Sequence, residues 1–246
     1  MKKHLPNLVT CLNATCGAAA IFLVLHERVL LAAALVLLAM LFDFLDGLLA
    51  RLLRVTSAMG KELDSLADVV SFGVVPALLA HVLIRDALPA DARWTSVLPY
   101  LPVIIPAFSA YRLAVFNLDT RQDHSFRGMP TPAHALFWVS LLFARHHAPC
   151  LYDATWGNPW LLAACVLFFS VLLISGLPMF SLKIVSFAWA SNRWLYSYLI
   201  LALLALLVFR AIAVSFLVPL YVLLAAAAAL VKGRGCNRQS RGGERR

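Results

Sequence analysis

The stretch VLLAAALVLLAMLFDFLDGLLARLLRVTSAMGKELDSLADVVSFG runs from Val29 to Gly73 and joins an uncharged apolar segment to four aspartates. A helix that crosses the hydrocarbon core of a membrane needs about 20 mainly apolar residues. Asp43, Asp46, Asp64 and Asp68 follow the apolar segment closely. Because an aspartate at the centre of a bilayer costs about 2.5–3.5 kcal/mol, four of them indicate a functional site that holds positive charge.

The composition extends this interpretation to the whole chain. Of the 246 residues, 62% are hydrophobic and 13% are charged, whereas soluble domains are about half apolar and a quarter charged. The apolar runs are continuous, which favours helices over a membrane β-barrel. We therefore expect an all-α, polytopic membrane helix bundle with about eight transmembrane helices. The predicted spans are 7–26, 29–52, 62–84, 97–117, 131–148, 158–177, 196–212 and 213–231.

The chain contains no polar block long enough for a second folded domain. We expect one integral membrane domain over residues 1–231 and a basic, disordered cytoplasmic tail over 232–246. The five cysteines are scattered without a CxxC pair, so neither a disulfide framework nor a zinc site is expected.

Positive charge predicts the orientation of the bundle. With the N-terminus in the cytoplasm, most of the 21 lysine and arginine residues lie on the inner side, as the positive-inside rule requires. The five on the outer side are Arg28, Arg85, Arg93, Arg145 and Arg210. The aspartates then lie at the cytoplasmic ends of the second and third spans, so we expect an inner-membrane protein whose active site faces the cytoplasm.

The spacing of the aspartates predicts that they converge. Asp43 and Asp46 share a helix face at i,i+3, and Asp64 and Asp68 share one at i,i+4. Two adjacent antiparallel helices could aim all four at one volume, where a divalent cation would offset their repulsion. Hard oxygen ligands favour Mg²⁺ or Mn²⁺ over Zn²⁺. Helix capping or pairing with nearby basic residues is the structural alternative, and spacing alone does not separate a metal-dependent enzyme from a cation or proton transporter.

The order of these residues resembles the signature of a known enzyme family. Asp43-x-x-Asp46-Gly47-x-x-Ala50-Arg51, then Gly60, Asp64 and Asp68, match every specified position of the CDP-alcohol phosphotransferase pattern. The segments PNLVTCLNATCG, LDSLADVVSFGVVPA and RGMPTPAHALF, with PMFSLK later, look like the phosphatidylserine synthase branch. The resemblance implies transfer of a phosphatidyl group from CDP-diacylglycerol to L-serine with release of CMP.

The resemblance also implies roles for particular residues. Two divalent ions, Mg²⁺ or Mn²⁺, would be held by Asp43, Asp46, Asp64 and Asp68, with Asp68 also the general base. The expected CDP-diacylglycerol contacts are Gly47, Ala50, Arg51, Ser57, Gly60, Asn7 and Thr10. Alternatives for these residues are helix packing at Gly47, a helix cap at Ser57, and hydrogen bonding between helices by Asn7, Thr10 and Asn13.

Serine recognition is expected on the cytoplasmic stretch YRLAVFNLDTRQDHSFRGMPTPA, which begins at Tyr111 in the last part of the fourth span. Its basic residues Arg112, Arg121 and Arg127 are candidate ligands for the serine carboxylate, although Arg121 and Arg127 could equally face lipid headgroups. The other expected partners are membrane lipids and no nucleic acid, and a homodimer through the Ala-rich last spans is one arrangement that the sequence allows. Competing functions are the same reaction with glycerol 3-phosphate or inositol phosphate as acceptor, and divalent-cation transport.

Overall fold

The computed structural model describes residues 4–55, 57–89, 93–118, 126–179, 189–209 and 212–243, and these are almost entirely helical. The expected all-α class is therefore confirmed for the described part of the chain. Its α-helices are α1 Leu5–Leu25, α2 Val29–Leu53, α3 Ala58–Asp68, α4 Val75–Ala87, α5 Ile104–Leu118, α6 Thr131–His147, α7 Pro149–Thr155, α8 Pro159–Ile174, α9 Trp189–Phe209 and α10 Ala213–Gly243. Two short strands, β1 Phe126–Arg127 and β2 Pro178–Met179, pair antiparallel.

Four helical stretches are long and apolar enough to cross a membrane within the described residues. They are Leu5–Leu25, Val29–Leu53, Ala58–Ala87 and Leu98–Leu118. Helices α7 and α8 would supply a fifth span together, although their axes meet at 70°. Multiple membrane-capable helices thus agree with the sequence, but the expected count of eight is not confirmed, because α6 and the apolar part of α10 are shorter than a full span.

Helices α1 and α2 form an antiparallel hairpin through small side chains. The buried face of α1 carries Pro6, Thr10, Asn13, Gly17, Ala20 and Val24, and α2 buries alanines at 32, 33 and 39. Small residues let helix backbones approach closely within a membrane protein. The buried polar residues of α1 therefore end up beside α2 and α3 rather than facing lipid.

A π-helix interrupts the central span directly after Asp68. It covers Val69–Val74 and separates α3 from α4 in one continuous helical stretch. A π-turn adds a residue to the helix and rotates the faces that follow it. Ser71 thereby donates a hydrogen bond to the backbone oxygen of Asn13 at 3.0 Å, and Gly73 lies against Ser109 of α5.

The remaining helices complete the core around α4. Phe137 and Trp138 of α6 are fully buried, and the Phe137 ring contacts the rings of Trp138, Trp156 and Phe169. The backbone of α10 continues to Gly243, and the division into a membrane domain over 1–231 and a tail over 232–246 stays a prediction. The core thus packs around the π-helix and the last turn of α3, where Ala67 and Asp68 are buried.

Candidate active site

Three of the four predicted aspartates meet at one point. One carboxylate oxygen from each of Asp43, Asp64 and Asp68 lies within 4.8 Å of the other two. Asp46 lies within electrostatic range of Asp43 and Asp64. Together these four side chains form the acidic cluster, and the convergence expected from helical spacing is observed.

Helix α1 supplies hydrogen-bond donors to the acidic cluster. The Thr10 hydroxyl donates to Asp46 Oδ2 at 2.5 Å, with the Pro6 carbonyl oxygen also 3.1 Å away. The Asn13 amide nitrogen donates to Asp68 Oδ1 at 3.3 Å. Hydrogen bonds of this kind fix the orientation of carboxylates before a ligand arrives.

The acidic cluster suits a hard divalent cation. Asp64 Oδ1 is buried and accepts no hydrogen bond from the described residues. A buried carboxylate oxygen without a partner is costly, and a cation ligated there would satisfy it. Converging carboxylate oxygens and no cysteine or histidine in the group match the ligand preference of Mg²⁺ or Mn²⁺.

An open cavity of about 500 Å³ lies beside the acidic cluster, between α1, α2 and α3. Its lining contains the predicted substrate residues Asn7, Thr10, Gly47, Ala50, Ser57 and Gly60, together with Asp46 and Asp64. This volume is in the usual range for small-molecule and cofactor sites. Six residues predicted separately from the sequence therefore share one cavity.

The two glycines of the motif face this cavity differently. A Cβ added at Gly47 would have no heavy atom within 4 Å, so the position is open space. A Cβ at Gly60 would lie 2.9 Å from Ser57 Oγ and 3.0 Å from Asn7 Oδ1. Gly60 therefore permits a close approach of α1 to the start of α3, whereas Gly47 leaves room for a ligand.

Ser57 combines two of the expected roles. Its hydroxyl accepts a hydrogen bond from the Gly60 backbone nitrogen at 2.9 Å and caps α3. It also lines the cavity. The cap and the cavity contact are therefore compatible, since they arise from the same loop between α2 and α3.

The family profile for CDP-alcohol phosphatidyltransferases matches residues 3–223. The chain belongs to this family. The family membership expected from the aspartate pattern is thereby confirmed, and it covers all of α1–α8.

Several relatives carry more specific names. A CDP-diacylglycerol–serine O-phosphatidyltransferase of Mycobacterium tuberculosis (strain ATCC 25618 / H37Rv) is 36% identical over 185 residues, which cover 74% of this chain and 63% of the relative. The protein of the same name from Bacillus subtilis (strain 168) is 33% identical over 165 residues, or 67% of this chain and 89% of the relative. An archaetidylserine synthase of Methanothermobacter thermautotrophicus is 38% identical over 134 residues, or 54% of each chain. The chain thus spans less than two thirds of the mycobacterial and archaeal relatives.

The predicted basic residues of this family member occupy different surroundings. Arg51 is exposed and does not line the cavity. Arg112 is buried on α5, within electrostatic range of Asp68. Arg121 lies outside the described residues, and for Arg127 only the backbone of β1 is described, opposite Pro178. Of the three candidate serine ligands, Arg112 is the one that the described structure brings to the acidic cluster.

Two polar residues of the site were not predicted as ligands. For Asn13, which shares a face with Thr10, the alternative considered was hydrogen bonding between helices, and its bond from α1 to Asp68 of α3 is of that kind. Lys61 lines the cavity, and its Nζ donates to the backbone oxygen of Asn117 at 2.7 Å. Nothing in the sequence places Asn117 beside Lys61, since the contact joins α3 to the end of α5.

Proposed function

We propose that this chain transfers the phosphatidyl group of CDP-diacylglycerol to the hydroxyl of L-serine, which gives phosphatidylserine and CMP. The observation that carries the proposal is the acidic cluster beside a cavity lined by the glycines and alanine of the family motif. Family membership favours this reaction over cation transport, and relatives named for serine transfer favour it over the other acceptors.

Asp43, Asp46, Asp64 and Asp68 would hold two divalent ions, Mg²⁺ or Mn²⁺. When bound, such ions would neutralise the pyrophosphate and stabilise charge on the leaving phosphate. The residues around them have separate tasks. Thr10 holds Asp46 in place, and Asn13 holds one oxygen of Asp68.

The nucleotide would occupy the cavity between α1 and α2. Asn7 and Thr10 line it from α1, while Gly47, Ala50, Ser57 and Gly60 line the opposite wall. The absence of bulk at Gly47 and Ala50 lets the nucleotide approach the α2 backbone. Arg51 would reach a phosphate from the exposed rim, where its guanidinium can form a pair of parallel hydrogen bonds.

Asp68 would act as the general base. Its carboxylate takes the hydroxyl proton of serine as the serine oxygen forms a bond to the lipid-bearing phosphorus. The bond from that phosphorus to the bridging oxygen breaks, and CMP leaves with the electron pair. Because Asp68 is buried, the transfer is shielded from water, which would otherwise compete as the acceptor.

The remaining expectations belong to the same proposal. The chain would lie in the cytoplasmic membrane with eight spans and its site facing the cytoplasm, where CDP-diacylglycerol and serine would meet. Arg112, with Arg121 and Arg127, would attract the serine carboxylate. A homodimer would pack through the apolar, Ala-rich last helices.

The decisive experiment supplies purified protein in lipid with CDP-diacylglycerol and one acceptor at a time: L-serine, glycerol 3-phosphate or inositol phosphate. We expect phosphatidylserine by mass spectrometry, and CMP release only when serine, lipid and divalent metal are all present. Formation of a different phospholipid would refute the choice of acceptor. Metal uptake into proteoliposomes without any turnover of CDP-diacylglycerol would instead support a transporter.

A further inference from the structure

Two buried side chains near Asp68 each have a polar atom without a hydrogen-bond partner among the described residues. The first is Asn13, which is fully buried. Its amide nitrogen is used on Asp68, but its carbonyl oxygen Oδ1 accepts no hydrogen bond from the described residues. A buried amide oxygen without a donor is costly, so a ligand that donates to it would be stabilised.

The second side chain is Arg112 of α5. It is 9% exposed, and its Nε has no acceptor among the described residues. Asp68 attracts it electrostatically, but no ion pair within 4.0 Å joins them in the described structure. A buried guanidinium nitrogen without an acceptor is unusual because burial of a charged group is expensive unless its charge is paired and its donors are used. An anionic group bound beside Arg112 would remove that cost.

The two unfilled groups are complementary to a zwitterion. Asn13 Oδ1 accepts hydrogen bonds and suits an ammonium, while Arg112 donates them and suits a carboxylate. We propose that Asn13 and Arg112 form the acceptor subsite, with Asn13 Oδ1 binding the ammonium and Arg112 binding the carboxylate of L-serine. This assignment rests on the proposed function, and it leaves the serine hydroxyl beside Asp68, the group that would take its proton.

The charge of the subsite argues for an amino acid rather than a phosphorylated alcohol. Within the described part of the chain, Arg112 is the only lysine or arginine with a buried side chain. A phosphate dianion carries up to two charges, of which Arg112 offsets one, and the carboxylates of the acidic cluster would repel it more strongly than they repel a carboxylate. A carboxylate carries one charge, which Arg112 alone matches.

The test compares L-serine with two analogues that each lack one group. Ethanolamine lacks the carboxylate, and 3-hydroxypropionate lacks the ammonium. Asn13→Ala and Arg112→Gln are each measured with all three acceptors, alongside the conservative variants Asn13→Gln and Arg112→Lys. Matched controls are Thr15→Ala on the exposed face of α1 and Arg145→Lys, whose side chain pairs with Asp86.

We expect both variants to raise the KM for L-serine about ten- to a hundredfold, the loss of one hydrogen bond to a charged group. Asn13→Ala should erase the preference for serine over 3-hydroxypropionate, and Arg112→Gln should erase the preference over ethanolamine. In Arg112→Gln the KM for CDP-diacylglycerol, the metal requirement and the melting temperature should stay as in wild type. Asn13→Ala also removes a hydrogen-bond donor from Asp68, so its serine KM is compared with that of wild type at saturating metal. Equilibrium dialysis with radiolabelled L-serine should show the same loss without turnover.

Other outcomes distinguish failure of the acceptor subsite from failure of the proposed function. A lower kcat with an unchanged serine KM at saturating metal would show that Asn13 only positions Asp68, and that result overturns the subsite. If Asn13→Ala or Arg112→Gln fails to bind CMP or melts early, the conservative variants Asn13→Gln and Arg112→Lys replace them. We expect an intermediate serine KM in both conservative variants. A wild-type serine KM in both would also overturn the subsite. A wild-type protein that makes no phosphatidylserine refutes the proposed function itself.

Discussion

Replacement of Thr10 by valine tests whether α1 controls the acidic cluster. Thr10 is 3% exposed, and its hydroxyl donates to Asp46 Oδ2 at 2.5 Å. Valine keeps the shape of the side chain and removes only the hydroxyl. Asp46 then loses a donor that fixes its orientation beside Asp43 and Asp64.

The expected loss of metal affinity follows from the negative charge of Asp46, which accepts the hydrogen bond of Thr10. A hydrogen bond to an ionised group contributes about 1.5–3 kcal/mol, and loss of a partner that orients a metal ligand costs about 10–100-fold in metal affinity. We therefore expect the Mn²⁺ concentration for half-maximal CMP release to rise about 10–100-fold in Thr10→Val. The maximal rate at saturating metal should change less, since Asp68 and its bond to Asn13 are untouched.

Thr15→Val is the matched control on the same helix. The Thr15 hydroxyl is exposed and donates to the backbone oxygen of Cys11 at 2.7 Å, four residues earlier, as Thr10 reaches Pro6. It touches no carboxylate, so its metal titration should equal that of wild type. Electron paramagnetic resonance of free Mn²⁺ measures binding without turnover. Identical Mn²⁺ titrations for Thr10→Val and wild type would refute a role of Thr10 in orienting Asp46. Equal shifts of the titration in Thr10→Val and Thr15→Val would refute it as well.

Three further predictions concern the base, the cavity and the packing of α1. Asp68→Asn should lower CMP release about a hundredfold or more because the proton acceptor is lost; turnover at the wild-type rate would contradict that role. Gly47→Ala should melt like wild type, since its Cβ meets nothing within 4 Å. Gly47→Leu should raise the KM for CDP-diacylglycerol about tenfold, because the larger side chain would overfill the cavity. An unchanged KM for CDP-diacylglycerol in Gly47→Leu would place the nucleotide elsewhere. Gly17→Ala should lose about 1–3 kcal/mol of stability, because its Cβ would clash with the Ser71 side chain and lie 3.0 Å from Ser71 Cα. Gly176→Ala has open space and serves as its control in thermal unfolding followed by tryptophan fluorescence.

Local periodicity predicted the acidic cluster well. Asp43 and Asp46, and then Asp64 and Asp68, each share a helix face because covalent geometry sets 3.6 residues per turn. The glycine and alanine positions of the motif came from the family resemblance, and Gly47, Ala50 and Gly60 line the cavity. Membrane-capable helices could also be predicted, since continuous apolar runs need no tertiary information.

The sequence by itself therefore determined the helical class, the membrane-capable segments and the helix faces that carry the aspartates. Only the tertiary structure decided which other side chains meet those faces: Asn13 bonds to Asp68 from 55 positions earlier in the chain, Arg112 is buried, and Arg51 stays outside the cavity. The π-helix after Asp68 also rotates Ser71 towards Asn13 in a way that a regular helical repeat does not predict. The physical reason is that spacing along one helix is fixed by local backbone geometry, whereas contacts between helices depend on how all their small and large side chains pack together.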